Sequence, residues 1–176
     1  LVLLVQDMQG YLNLSELLAR AWTSNMVKAQ AVCTWAWLEE LSAGLLVLTG
    51  AQAGPVGQAL VRGDVASADR LALRLASLFA QRCYIELQRA GRTDDELHVV
   101  AAVQLAARLG LPVVATHPVQ FALEEDYEAH EARVCIAEGE ILGNPRRVRR
   151  FTRDQYFKTS AQMQALFADV PSALAN

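Results

Sequence analysis

Four short apolar runs, separated by stretches of helical periodicity, set most of what this chain can become. Leu1–Val5, Gly44–Thr49, Cys83–Leu87 and Leu111–Thr116 are five or six residues each and give way to polar residues or glycine. Apolar runs without alternation suit strands covered on both faces, as in parallel sheets. Leu1–Val5 is therefore read as a buried parallel strand. Strands alternating with amphipathic helices imply βαβ units, right-handed crossovers and an α/β fold with helices over a parallel sheet. Chemistry in such folds gathers at the C-terminal strand ends. Here those ends are Gln6–Gly10, Gly50–Gly57, Gln88–Gly91 and His117–Phe121.

The helical stretches carry their own punctuation. Leu14, Leu17, Leu18 and Ala21 recur at helical spacing, and Thr34 is placed to cap a short helix holding Trp35, Trp37 and Leu38. Pro55–Val61 and Asp64–Phe79 follow, the second with Ala68, Leu71, Leu75 and Leu78 on one face. Thr93 and Glu96 have capping-box spacing, and Gly110 ends that helix after a stripe of Leu97, Ala101, Leu105 and Leu109. The last third differs. Glu124–Glu138 is a charged helix, and Gly139–Arg150 is a loop with the run Arg146-Arg147-Val148-Arg149-Arg150. Thr152 and Gln155 could box a short helix, Ser160–Ala168 is another, and Pro171 suits the first turn of a third. Residues 1–138 are thus expected to be the β/α layer, and residues 139–176 a basic loop with appended helices.

A chain of 176 residues with 53% hydrophobic content is about one domain and can fill a core. Its net charge of −3 argues against a free-standing nucleic-acid binder. No apolar run approaches the roughly eighteen residues of a membrane span. Three cysteines, widely spaced and without a C-x-x-C pair, fit a reducing, cytoplasmic setting. A chain that opens on a strand residue, without Met, reads as an interior slice of a longer polypeptide.

Few side chains announce chemistry. Gly50, Gly54 and Gly57 lie where phosphate loops occur, but Gln52 replaces the middle glycine and no G-K-[ST] follows, so a tight turn is the plain reading. His98 and His130 read as polar helix residues with local hydrogen bonds. His117 follows a strand and would face a pocket, where a neutral imidazole can bind a metal. Glu86 stands inside an apolar strand, where a carboxylate needs a partner or a metal. Arg146, Arg147, Arg149 and Arg150 suit contact with phosphates or an acidic partner, or a loop clamped by Glu138, Glu140 and Asp154. Trp22, Trp35 and Trp37 read as packing residues. No catalytic residue is identified.

Five stretches taken together carry a resemblance: LVLLVQDMQGYLNLSELLARAW, GLLVLTGAQAGPVGQALVRGD, CYIELQRAGRTDDELHVVAAVQLAARLGLPVVATHPVQF, DYEAHEARVCIAEGE and FTRDQYFKTSAQMQALFADVPSALAN. In this order the chain resembles the N-terminal polymerase-and-histidinol-phosphatase (PHP) domain of bacterial DNA polymerase III alpha subunits. The resemblance implies part of a distorted, TIM-like parallel β/α barrel whose upstream strands precede Leu1. In metal-competent members, His and carboxylate ligands at the strand ends hold divalent Zn, Mn or Mg. The family's strand glutamate corresponds to Glu86. Its Asn-Asp-x-His motif aligns with His117-Pro118-Val119-Gln120, so Pro118 and Gln120 replace both ligands, and His117 is left out of register.

The resemblance thus implies a degenerate site with no cofactor. It also implies a docking role toward the proofreading exonuclease subunit and other holoenzyme subunits, with DNA handled by the parent polymerase, a nucleotidyltransferase of DNA replication. An active metal-dependent phosphoesterase or pyrophosphatase is the alternative. A last expectation concerns the edge beside Leu1–Val5, which should be apolar and in need of cover.

Overall fold

The computed structural model describes residues 1–176. Its centre is an open four-stranded sheet in the order β1 (Val2–Val5), β4 (Leu45–Leu48), β5 (Cys83–Gln88), β6 (Val113–Thr116). β4 pairs with β5, and β5 with β6, in parallel. The helical segments between them make the expected α/β layering: α3 (Pro55–Val61) and α4 (Val65–Leu78) join β4 to β5, and α5 (Asp95–Leu109) joins β5 to β6.

β1 departs from the expected pattern. It pairs antiparallel with β4, Val2 opposite Leu48 and Val5 opposite Leu45, and its side chains are largely exposed. The connection explains the reversal. α1 (Met8–Ser24) carries the chain away, and a hairpin of β2 (Met26–Val27) and β3 (Gln30–Ala31) turns it. The short α2 (Trp35–Glu40) then returns it to the end it left. Two traverses instead of one reverse the next strand. The Gln6 N–H accordingly bonds the Gly44 carbonyl at 2.9 Å. Gln6–Gly10 therefore lies at the opposite end of the sheet from the C-terminal ends of β4, β5 and β6. A Cβ on Gly10 would fall 1.9 Å from the Gly44 oxygen, and Gly44 itself has φ +69°, so two glycines make this crossing possible.

The core follows the strands. Leu45, Val47, Ile85 and Leu87 are buried between helices that contribute Val56, Leu75, Phe79, Val99 and Leu105. The stripe of α5 is rotated from expectation: His98, Val99, Ala102, Leu105 and Ala106 face inward, while Leu97 is exposed. Its capping box does not form. Asp94 is the N-cap and Glu96 pairs with Arg89 instead, whereas Gly110 ends the helix at φ +65° as expected. Thr34 does cap α2, accepting from the Trp37 N–H. Trp35 and Trp37 pack against the core, but Trp22 is mostly exposed.

After β6, a 3-10 turn at Glu124–Asp126 leads into α6 (Tyr127–Glu138). Thr152 and Gln155 form no helix; the Gln155 side chain accepts from the Thr152 N–H within an irregular strap. α7 (Ser160–Leu166) is boxed by Thr159 and Gln162, and α8 (Ser172–Ala175) completes the chain. Phe167 and Ala173 are buried in the same cluster as the sheet residues.

Candidate functional site

The C-terminal ends of β4, β5 and β6 converge on Glu86. Ile85 and Leu87 direct their side chains to the opposite face by strand parity, leaving a carboxylate that is only 2% exposed. One oxygen accepts the Gly50 N–H at 2.9 Å. The other accepts the Thr116 hydroxyl at 2.5 Å and the Gln88 amide at 3.0 Å. Gly50 can aim its N–H inward because it holds φ +81° at the start of the turn Ala51–Ala53. That turn is closed on itself, with the Gly54 N–H bonded to the Gly50 carbonyl at 2.9 Å. A tight turn is what the three glycines build.

The hydrogen bonds continue outward from Glu86. The Gln88 amide also donates to Thr116 Oγ1, while its carbonyl accepts from Arg92 at 3.0 Å. Arg92 donates through Nε and its backbone N–H to Asp95, which also accepts from the Ala90 N–H and the Gln52 amide. Every oxygen of Glu86 and Asp95 thus meets a donor, the condition under which buried charge is tolerated. Sequence reasoning singled out Glu86 but not Gln88, Arg92 or Thr116, and met Gln52 only as a break in a glycine pattern. The only signal was polar residues clustering at strand ends.

A metal cluster needs several imidazole or carboxylate ligands converging on one point. No group of three His, Cys, Asp or Glu side chains is so arranged. His117 donates from Nε2 to the Asp154 carbonyl at 2.7 Å, and burial lowers its pKa. The Pro118 carbonyl and the Gln120 N–H are both bonded to Gln155.

The strap 151–176 passes the C-terminal end of β5 and then runs to the first residue of β6. Thr152 donates to the Ala90 carbonyl, and Asn176 to that of Val113. Arg89 grips Asp169 and Glu96, donates to the Leu166 carbonyl, and stacks on Phe167. Its guanidinium holds the Asp169 carboxyl below the usual range.

The arginine run is divided. Arg147 points inward to a buried ion pair with Glu131 and is not a surface group. Arg150 lies 3.3 Å from Glu138, whereas Arg146 and Arg149 project outward without acidic partners. Neither Glu140 nor Asp154 clamps the run. His130 packs between Phe121, tilted at 44°, and Phe151, edge-on at 86°, with neither ring nitrogen bonded. His98 is buried in α5, and desolvation lowers its pKa to about 4. The expected local hydrogen bonds of these two histidines are not made.

The PHP domain family matches residues 1–90, just over half of the chain. DNA polymerase III subunit alpha of Pseudomonas aeruginosa is 43% identical over the whole of this chain, as is that of Vibrio cholerae, and the Escherichia coli subunit is 41% identical. The chain spans about 15% of the length of each of these relatives. No helix is long and apolar enough to cross a membrane. With three parallel strands in an α/β sheet and the family match over its first half, the chain belongs to the PHP domain family.

Proposed function

We propose that this chain is the PHP portion of a cytoplasmic DNA polymerase III alpha subunit, in which it braces the polymerase and docks the proofreading exonuclease subunit without hydrolysing phosphoesters itself. Polymerisation of DNA would belong to the longer subunit. The observation that carries this reading is the saturation of Glu86: Gly50, Gln88 and Thr116 occupy both its oxygens. A carboxylate so engaged has little left to offer an ion, and Pro118 and Gln120 supply no charged ligand beside it. Losing ligands outright weakens a multinuclear site more than the roughly ten- to hundredfold cost of losing their supporting contacts. The three parallel strands with their helices fit an arc of a distorted β/α barrel, which would continue past the apolar edge of β1.

An active phosphoesterase is the second reading, favoured by the position of Glu86 at the strand ends. Elemental analysis of the full-length alpha subunit separates the two. Zn, Mn and Mg are expected well below stoichiometric amounts, together with no turnover of a chromogenic phosphoester. Stoichiometric metal that is lost in the Glu86→Gln variant would overturn the first reading.

A further inference from the structure

The end of α6 and the loop after it form a surface that the fold itself does not explain. Ile136, Ile141 and Val148 are 82%, 75% and 76% exposed, among the most exposed large apolar side chains of the molecule. The segment that holds them is fastened. Asn144 bonds Glu140, the Glu140 N–H bonds the Cys135 carbonyl, Arg150 reaches Glu138, and Arg147 is sunk against Glu131. A buried ion pair is seldom worth more to stability than apolar side chains of the same volume, and its attested use is to fix register. Here it turns Arg147 inward, so that Arg146 and Arg149 flank Val148 and project outward.

Exposed aliphatic side chains between unpaired arginines are the composition of a protein–protein contact, where arginine and apolar groups are enriched in the buried centre. We infer that this ridge docks an acidic protein segment carrying aliphatic or aromatic side chains. Arg146 and Arg149 meet its carboxylates, while Ile136, Ile141 and Val148 meet its apolar groups. A nucleic acid is the poorer occupant. Phosphates gain nothing from three exposed aliphatic side chains, which an apolar protein segment would cover. The inference rests on the docking reading above and names the surface and partner chemistry for it.

The test uses the full-length alpha subunit with the purified exonuclease subunit of the same organism as probe, measured by surface plasmon resonance. One variant combines Arg146→Glu with Arg149→Glu, and another Ile141→Ser with Val148→Ser. All four positions are exposed, and thermal unfolding checks that the variants remain folded. Each pair is expected to weaken binding by about tenfold or more. The loss from the charge variant shrinks as salt rises, while that from the apolar variant persists. Duplex DNA affinity stays unchanged. Wild-type protein that binds the exonuclease, with both variants binding equally well, overturns the inference and leaves the docking reading standing. Wild-type protein that fails to bind overturns both. Variants that lose DNA affinity and keep the exonuclease make the ridge a nucleic-acid surface and overturn the inference.

Discussion

His98 shows how a single side chain sets a pH limit. Its pKa of about 4 in the folded protein lies below the ordinary 6.5, because burial disfavours the imidazolium. A depressed folded pKa means that the unfolded chain binds the proton first. Stability from this site is therefore complete above pH 6.5 and declines as pH falls toward 4. The loss is on the order of 3 kcal/mol at most. Urea unfolding across that range should show the slope in the native sequence and a flatter one in His98→Leu. Glu86 provides the second test. Glu86→Ala strands the Gly50 N–H and the Thr116 hydroxyl, and should cost about 2–4 kcal/mol by chemical denaturation. Glu86→Gln keeps one acceptor oxygen and should cost less. Glu86 was legible in the sequence because a carboxylate in an apolar run is conspicuous. Its partners were not, because they come from three strand ends that only the fold brings together.

The elements with local signals were read correctly where those signals acted alone. Thr34 caps α2, Pro55 starts α3 and Gly110 ends α5. Where tertiary contacts competed, the local reading lost. Glu96 leaves its capping box for Arg89, and Thr152 with Gln155 makes a strap in place of a helix. The β2–β3 hairpin had no readable signal, since Lys28 and Ala29 occupy a turn with φ of +47° and +63° where Asn-Gly would be usual. Replacing them with Asn-Gly should relieve left-handed strain and raise stability by roughly 0.5–1 kcal/mol, seen as a higher denaturation midpoint. Gly44→Ala should act in the opposite sense. Its Cβ would lie 2.2 Å from Asp7 Oδ1 at a positive φ, so a loss of about 2 kcal/mol or more is expected in the same assay.

At the scale of the whole molecule, the α/β class was legible and the direction of β1 was not. Strand direction depends on how many times the connection crosses the sheet, and the short α2 supplied the extra traverse. The consequence is an edge strand with Leu4 and Val5 nearly half exposed. A separately produced 176-residue chain should associate with itself as concentration rises. Leu4→Lys should suppress this in sedimentation experiments by charging the edge. The strap has a different consequence. Arg89 and Thr152 fasten it beyond the C-terminal end of β5, Asn176 fastens it to the first residue of β6, and Phe167 is buried in the core. A pull applied at α8 is therefore expected to be felt at β5 and β6 through these bonds.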